Sequence, residues 1–129
     1  MSKATVGDFI VDRLQQWGID RVFGYSGDGI NGVMSALRRN DGVTLVQPRH
    51  EELAAFMACG HAKYTGRPGA VVTTSGPGAI HALNGLYDAA KDHMPVVAVV
   101  GQQARISLGS DFQQEVDLGS LFKDAAGYV

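Results

Sequence analysis

Residue types that could do chemistry are concentrated in three short stretches of this 129-residue chain. The stretch "FGYSGDGINGV" contains a G-x-G-x-x-G pattern at Gly27, Gly29 and Gly32, between an apolar run and a helix-like run. The stretch "RHEELAAF" places the carboxyl group of Glu51 directly after a histidine, and "TTSGPGAIH" contains a serine–glycine turn at residues 75–78. Glycine turns that open a helix let the backbone approach a ligand and offer free N–H groups. The three stretches are therefore the candidates for a ligand site.

The glycine pattern at residues 27–32 has two interpretations from the residues alone. A dinucleotide-binding loop needs an acidic residue for the ribose about 20 residues later, and Glu51 or Glu52 lies at that distance. That acid normally ends the second strand, whereas here "QPRHEE" places other residues first, and the dinucleotide interpretation leaves "TTSGPG" unexplained. The alternative is that these glycines only permit a tight turn. Both interpretations stay open at this point.

The two carboxylates that open the "EELAAFMACGHAKYT" segment have different expected roles. Acidic residues in the first turn of a helix stabilise its positive end by about 0.3–1 kcal/mol each, and Glu52 is interpreted in this way. Glu51 differs because small side chains follow it, which lets another helix approach at the short end of the usual distance of about 8–10 Å. These small residues are Ala54, Ala55, Ala58, Gly60 and Ala62. We expect a partner packed there to cover the helix start and exclude water from Glu51.

No metal site is predicted in this chain. The separation of His50 and His61 matches no short ligand spacing. Cys59 lies among alanines in the middle of a predicted helix and is interpreted as a small buried packing residue rather than a nucleophile.

The composition favours one soluble globular domain. The net charge of −2 and the pI near 6.0 give no indication of a nucleic-acid partner or an anionic membrane surface. The start "MSKATVGDF" lacks the basic-then-apolar pattern of a signal peptide, and no apolar run approaches the roughly 20 residues of a membrane span. The single cysteine excludes an internal disulfide and fits a reducing compartment. We therefore expect a cytoplasmic protein.

Strand-like and helix-like segments alternate along the chain. A capping pair, Thr5 and Asp8, precedes apolar residues at helical spacing, and Gly18 is expected to end this first helix. The apolar residues at that spacing are Val6, Phe9, Ile10, Leu14 and Trp17. Further helices are predicted at residues 30–39, 51–65, 79–91 and 118–125, and strands at residues 21–25, 43–47, 69–74 and 96–101.

This alternation predicts an α/β fold with three layers, in which a mostly parallel sheet carries helices on both faces. Crossovers in such sheets are right-handed, so all strand-to-helix loops emerge at the edge where ligands bind. The last strand, "VVAVVG", is apolar along its whole length and is predicted to lie in the centre of the sheet. The glycine loop, the start of the Glu51 helix and the 75–78 turn are therefore expected together at this edge of the sheet, which we call the rim.

The stretches "RHEELAAFMACGHAKYTG", "SGPGAIHALNGLYDAAKDHMPVVAVVGQ" and "DFQQE" together resemble the N-terminal pyrimidine-binding domain of thiamine diphosphate-dependent enzymes. The resemblance covers essentially the whole chain, so residues 1–129 are expected to form one such domain. "GDGING", "RHEE", "HALNGLYD" and "FQQE" are most similar to pyruvate oxidases, including the quinone-dependent pyruvate dehydrogenases. Acetolactate synthases share the RHE, SGPG and GQ elements and differ after SGPG. The resemblance implies an enzyme that acts on pyruvate or a similar 2-oxo acid.

The resemblance also implies a role for each matching residue. Glu51 would hydrogen-bond N1′ of the cofactor's aminopyrimidine and favour the tautomer that removes a proton from the thiazolium ring. The pyrimidine pocket would be lined by Ser75, Gly76, Pro77 and Gly78. The substrate side would be formed by Gly27, Asp28, His81, Gln102, Phe112 and Gln113. The Gly-Asp-Gly that holds magnesium in these enzymes is paired with a later asparagine, and none is suitably placed after Asp28, so Asp28 is not a predicted metal ligand.

Partners outside this chain are implied as well. These enzymes have three domains of similar size, and the diphosphate-binding domain with its Mg²⁺ and the central domain that holds FAD in the oxidases would lie elsewhere. The cofactor lies between domains of different subunits, so we expect a homodimer or homotetramer formed through the Glu51–Thr65 helix, and an inactive isolated chain. Two other hypotheses remain, namely a stand-alone dinucleotide-binding module and a structural or regulatory subunit that keeps only the dimer surface.

Overall fold

Strands and helices alternate through residues 4–129, the part of the chain that the computed structural model describes. Residues 1–3, on which part of the expectation about the chain start rests, lie outside the described residues. Among the helices of residues 4–129, none has the length and apolar character needed to cross a membrane. Short 3-10 turns occupy Asp28–Ile30 and Arg105–Ser107. The helices and strands are α1 Val6–Gln16, β1 Arg21–Gly24, α2 Asn31–Arg39, β2 Thr44–Val46, α3 Glu51–Thr65, β3 Gly69–Thr73, α4 Pro77–Lys91, β4 Val96–Val100 and α5 Leu118–Phe122.

The predicted elements are all found, with small differences at their ends. Helix α4 begins at Pro77, two residues before its predicted start, because proline suits the first helical position, where its missing N–H would be unpaired anyway. Helix α5 ends at Phe122, three residues before its predicted end. The predicted capping pair is confirmed at α1, where the Thr5 hydroxyl accepts the Asp8 N–H at 3.1 Å and the Asp8 carboxylate accepts the Thr5 N–H at 2.8 Å.

The four strands form one parallel sheet in the order β2-β1-β3-β4. One face packs against α1 and α2, in a core that includes Val11 and Leu37. The other face packs against α3 and α4, in a core that includes Phe23, Ala58 and Ala82. The central strand β3 is buried along its whole length because both of its faces are covered. The predicted three-layer α/β fold is confirmed.

The buried side of α1 differs from the apolar residues singled out in the sequence. Gly7 and Leu14 face the core, whereas the side chains of Phe9 and Trp17 are mostly exposed. The cause is the close approach of α1 to α2, since a Cβ on Gly7 would collide with the carbonyl oxygen of Gly32. A glycine therefore sets the contact face of α1, and hydrophobicity alone does not reveal it.

The prediction that the last strand lies in the centre of the sheet is wrong. Among the described strands β4 pairs only with β3, so it forms an edge of the sheet, and its middle residue Ala98 is exposed. Its apolar residues line an open groove of about 800 Å³ together with Trp17, Leu86 and Phe122. An apolar run indicates that a strand has apolar neighbours but does not determine the order of the strands.

The four alanines among the small residues of α3 are buried within the chain, partly against α4, whereas Gly60 is exposed. Ala55, Ala58 and Ala62 are almost completely buried, and a Cβ on Gly85 of α4 would lie only 2.6 Å from the Cβ of Ala55. The expectation that a separate partner packs on these alanines is therefore wrong, because they are already covered within the chain. The side of α3 that stays open carries Leu53, Phe56, Met57 and Tyr64.

Candidate active site

The start of helix α3 is fixed by the histidine that precedes it. The Nδ1 atom of His50 accepts the backbone N–H of Glu52 at 3.2 Å, which satisfies one of the free N–H groups at the helix end. The helix therefore begins at Glu51, at the carboxyl edge of the parallel sheet. The side chain of Glu51 is 12% exposed, so most of its surface is covered by the chain itself.

Both acidic residues of this helix start have partners on α4. Nδ1 of His81 lies 3.0 Å from Oε2 of Glu51, and His81 donates this hydrogen bond when the carboxylate is ionised. The rings of His81 and His50 also lie against each other, with centroids 4.3 Å apart. The Oε1 atom of Glu52 accepts a hydrogen bond from Nδ2 of Asn84 at 2.6 Å. The structure thus places His81, a predicted substrate-side residue, in direct contact with the predicted catalytic carboxyl group.

The 75–78 turn packs closely beside Glu51. Gly76 has φ +59°, a left-handed conformation that glycine adopts without strain. A Cβ on Gly78 would lie 3.6 Å from Oε1 of Glu51 and 3.0 Å from Cγ2 of Thr74. The absence of a side chain at Gly78 therefore lets the turn pack closely against the carboxyl group, and we call the 75–78 turn the glycine cradle.

Polar groups surround the glycine cradle. The Ser75 hydroxyl is almost completely buried and accepts a hydrogen bond from Gln103 at 3.1 Å. Pro77 is the first residue of α4, and the free N–H groups of the following turn lie at this helix end. Among the described residues Oγ1 of Thr73 is buried without a hydrogen-bond partner, which is costly unless a ligand or water bonds to it. The predicted cofactor residues 75–78 therefore lie together, next to Glu51.

The glycine loop packs against the end of β3. A Cβ on Gly27 would lie 2.6 Å from the Cβ of Thr74, and the N–H of Gly29 donates to Oγ1 of Thr74 at 3.2 Å. The carboxylate of Asp28 is exposed and accepts a hydrogen bond from Asn31 at 3.4 Å. These glycines permit contact between two loops, and this contact argues against an open dinucleotide-binding loop. The same contact places Gly27 beside the 75–78 turn.

The long loop after β4 carries the remaining predicted substrate-side residues. Nε2 of Gln102 donates to the carbonyl oxygen of Val116 at 3.0 Å, so this side chain bonds its own loop. The carbonyl oxygen of Gln113 accepts a hydrogen bond from Gln103, which brings the Gln113 backbone to the rim. The ring of Phe112 is 51% exposed. Of these three residues, only Gln113 is linked to the glycine cradle, through its backbone.

Two residues that the sequence analysis did not single out hold this loop against the cradle. Nε2 of Gln103 donates both to Oγ of Ser75 at 3.1 Å and to the carbonyl oxygen of Gln113 at 3.0 Å. Gln114 has φ +63°, and its carbonyl oxygen lies 2.5 Å from the position of a Cβ on Gly76. The sequence signal for Gln103 is weak, because two adjacent glutamines do not reveal which one turns towards the rim.

Three potential metal ligands also meet here, since ligand atoms of His50, Glu51 and His81 lie within 4.8 Å of one another. Nδ1 of His50 accepts a helix N–H, which leaves the ring proton on Nε2 and no free lone pair on either nitrogen. Glu51 and His81 are bonded to each other. His61, a histidine within α3, packs against the ring of Phe23 instead. Internal hydrogen bonds therefore already occupy the potential ligand atoms of these three residues, and we propose no metal site here.

A comparison with known protein families identifies the family of this chain and the cofactor of that family. Residues 4–121 match the family model described as "Thiamine pyrophosphate enzyme, N-terminal TPP binding domain". The chain belongs to this family. The resemblance found in the sequence is thereby confirmed, and thiamine pyrophosphate, or thiamine diphosphate, is the cofactor of the family.

Individual relatives of this thiamine pyrophosphate-binding domain carry several activities. The chain is 44% identical over 128 residues to the Bacillus subtilis (strain 168) protein YdaP, whose name describes it as thiamine pyrophosphate-containing. It is 39% identical over 123 residues to a pyruvate oxidase of Lactiplantibacillus plantarum and 40% identical over 111 residues to a chloroplastic acetolactate synthase of Arabidopsis thaliana. These matches cover 98%, 95% and 86% of the chain but 22%, 20% and 17% of the relatives. The chain therefore spans about a fifth of their length.

The residues of the rim fit the pyrimidine half of thiamine diphosphate. The glycine cradle carries no side chain at Gly76 or Gly78, so a flat ring can approach its backbone, and the Glu51 carboxyl group at its side can donate or accept a hydrogen bond at the ring edge. The free N–H groups at the start of α4 offer further polar contacts. This donor set suits a neutral heteroaromatic ring with nitrogen at its edge.

A second polar cluster joins α3 and α4 further along the two helices. The Sγ atom of Cys59 donates to Asp88 at 3.1 Å, and burial together with this carboxylate raises the pKa of the thiol. The interpretation of Cys59 as a buried packing residue is confirmed, because the reactive thiolate is disfavoured. Nζ of Lys63 donates to Asp88 at 2.9 Å and to Asp92 at 2.5 Å, and the bond from Lys63 holds the pKa of Asp88 below its usual value.

Proposed function

We propose that this chain is the pyrimidine-binding domain of a thiamine diphosphate-dependent enzyme that oxidatively decarboxylates pyruvate or a similar 2-oxo acid. The observation that carries the proposal is the covered Glu51 carboxyl group, paired with His81 and packed beside the glycine cradle. The similarity to a pyruvate oxidase over 95% of the chain supports the oxidative reaction. When bound, thiamine diphosphate supplies the carbanion-stabilising chemistry that cleavage next to a 2-oxo group requires.

Glu51 acts in this proposal by holding a proton at the edge of the pyrimidine ring. Its carboxyl group would bond the ring nitrogen N1′ of the bound cofactor, and the coverage of its side chain limits competition from water. Acid–base assistance of this kind typically contributes about 10²–10⁴-fold to the rate. His81 orients the carboxyl group through the 3.0 Å bond. Glu51 is therefore the catalytic residue of this chain, and His81 serves both Glu51 and the substrate side.

In this proposal the remaining rim residues bind the pyrimidine ring and enclose the 2-oxo acid. Ser75, Gly76, Pro77 and Gly78 line the pyrimidine ring, which their close backbone turn supports. The 2-oxo acid is bounded by Gly27, Asp28, His81, Gln102, Phe112 and Gln113. The exposed ring of Phe112 supplies an apolar wall that can adjust to the substrate.

Further domains complete the enzyme in this proposal. The chain forms one domain over residues 1–129, and a diphosphate-binding domain with Mg²⁺ and a central domain with FAD are contributed by other parts of the same or another chain. The open side of α3 begins next to Glu51 and exposes Leu53, Phe56 and Met57, an apolar surface that fits a subunit contact. We propose a homodimer or homotetramer formed through this helix, located in the cytoplasm, with no activity in the isolated chain.

Acetolactate synthesis is the second candidate function. The chain is 40% identical to the Arabidopsis thaliana acetolactate synthase over 86% of its length, close to its identity with the pyruvate oxidase. Both reactions use the same pyrimidine contacts, so Glu51 has the same role in both. They differ in the second reactant, which contacts outside this domain help to select.

Product analysis tests the proposal and separates the two reactions. The complete protein is supplied with pyruvate, thiamine diphosphate, Mg²⁺, FAD and an artificial electron acceptor. Oxidative decarboxylation predicts carbon dioxide release coupled to reduction of the acceptor, whereas acetolactate synthesis predicts acetolactate without acceptor reduction. Tight NAD binding without any thiamine diphosphate-dependent consumption of a 2-oxo acid contradicts the proposal.

A further inference from the structure

The side chain of Gln103 joins the glycine cradle to the loop that follows β4. Its carboxamide nitrogen lies 3.1 Å from Oγ of Ser75 and 3.0 Å from the carbonyl oxygen of Gln113. A carboxamide nitrogen carries two hydrogens, so both bonds can form at the same time. A glutamate or methionine at this position has the same reach but no N–H donor. The link therefore depends on the amide group and not only on the size of the side chain.

The bond to Ser75 determines how that hydroxyl group can act. Ser75 is almost completely buried, and its oxygen already accepts a hydrogen bond from Gln103. Its hydroxyl hydrogen is then free to donate in another direction. Gln103 thus fixes the hydroxyl of Ser75 as a donor at the edge of the cradle.

The bond to Gln113 holds a backbone segment that is costly to form. Asp111 and Gln114 have φ +55° and +63°, in the left-handed region that non-glycine residues rarely adopt. Phe112 and Gln113 lie between these two positions. Such conformations persist only where surrounding contacts hold them, and they are frequent at functional sites.

A carboxylate provides the other support of this segment. The side chain of Glu115 accepts the backbone N–H of Phe112 at 3.1 Å and that of Gly109 at 2.5 Å. Glu115 therefore closes the segment on itself, whereas Gln103 attaches it to the 75–78 turn. Gln103 is the side chain through which the position of the segment relative to the cradle is set.

We propose that Gln103 is a positioning residue, which aligns the Phe112–Gln113 segment and the Ser75 hydroxyl with the bound 2-oxo acid. The inference rests on the proposed function for the identity of the substrate. It rests on the two hydrogen bonds alone for the link between the loops. Gln103 touches neither Glu51 nor the reacting atoms in this proposal, so its loss weakens substrate binding more than the chemical step.

The test compares Gln103→Met and Gln103→Glu in the complete protein, with Gln16→Met as the matched control. Gln16 is exposed on α1, where its side chain accepts a hydrogen bond from Arg13. For both Gln103 variants we expect the KM for pyruvate to rise about tenfold and kcat at saturating pyruvate to change less than about threefold, because an unpaired carbonyl group is left in the segment. We also expect faster deuterium uptake across residues 109–116 in the cofactor-free protein. The control is expected to match the wild type in every measurement.

Deuterium uptake and steady-state kinetics together distinguish a failure of the Gln103 inference from a failure of the proposed function. If neither Gln103 variant changes deuterium uptake in residues 109–116, the link between the loops is not a positioning device and the inference is overturned. If uptake rises but kcat falls at an unchanged KM, the claim that Gln103 serves substrate binding is overturned. A wild-type protein without thiamine diphosphate-dependent turnover overturns the proposed function, while the uptake measurement still judges the link itself.

Discussion

Helices α3 and α4 are joined by polar side chains at two places, and the two places differ in what lies beside them. At the rim, Glu51 bonds His81 next to the glycine cradle, where a Cβ is missing. Further along, Lys63 and Cys59 both bond Asp88. The rim pair therefore lies beside a glycine turn at the carboxyl edge of the sheet, whereas the distal cluster links the two helices away from that edge.

The difference shows how one helix pair can serve stability and chemistry separately. The Lys63 ammonium group and the buried Cys59 thiol satisfy Asp88 within the chain, so the cluster needs no ligand. At the rim, only part of the hydrogen-bonding capacity of Glu51 is used by His81, since a carboxylate has several acceptor sites. We therefore expect substitutions at the rim to change activity and substitutions along the helix contact to change stability.

The largest expected effect follows from Glu51→Gln in the complete enzyme. Glutamine keeps the shape of the side chain but cannot hold an acidic proton, so kcat is expected to fall at least about tenfold. The matched control is Glu52→Gln, since Glu52 also opens α3 and bonds α4 but points to Asn84. Steady-state kinetics at saturating cofactor checks both variants. Equal losses in the two variants would remove the distinction between them and leave only a general helix effect.

The next effect concerns the contact between the helices. In Gly85→Ala the new Cβ would lie 2.6 Å from the Cβ of Ala55 and from the N–H nitrogen of Phe56, so overpacking is expected to lower the free energy of unfolding by about 1–3 kcal/mol. Gly60→Ala is the control, because nothing lies within 4 Å of a Cβ there and alanine favours the helix by about 1 kcal/mol. Urea unfolding measures both changes. A stabilised Gly85→Ala variant would show that the helix contact is looser than described.

The smallest effect is the pH dependence of the distal cluster. The pKa of Asp88 is lowered by the bonds from Lys63 and Cys59, so its stabilising contribution is present above the usual carboxyl pKa of about 4 and is lost as the pH falls through the lowered value. The difference in unfolding free energy between wild type and Asp88→Asn should therefore be largest near neutral pH and shrink below about pH 4. Asp12→Asn, at an exposed site on α1, controls for the loss of a surface carboxylate. A difference that is constant from pH 7 to pH 3 would contradict the assignment.

The sequence predicted the parts of the fold and site that depend on local pattern. The alternation of apolar strands and capped helices was sufficient for the layered fold, and the helix start at Glu51 followed from its neighbours. It did not reveal the contact of Glu51 with His81, because that pairing depends on how closely α3 and α4 pack at Gly85. The sequence also did not predict the edge position of β4, since strand order is set by tertiary packing.

The sequence also did not predict the residues that connect the loops of the rim. Gln103 follows Gln102 directly, and only the turn of the backbone after β4 decides which of the two reaches Ser75. Gln114 is an ordinary residue type in an unusual backbone conformation, which a sequence pattern does not report. Long-range contacts between loops are thus the part of the site that required the structure.

The most direct measurement is the exchange of the proton at C2 of the thiazolium ring in thiamine diphosphate bound to the complete protein. Proton NMR after transfer into deuterium oxide gives the exchange rate for the wild type and for Glu51→Gln at full cofactor occupancy. The account predicts that the substitution slows this exchange by about 10²-fold or more, because the carboxyl group holds the pyrimidine in its proton-accepting form. An unchanged exchange rate in Glu51→Gln would contradict the assignment of Glu51 as the catalytic residue.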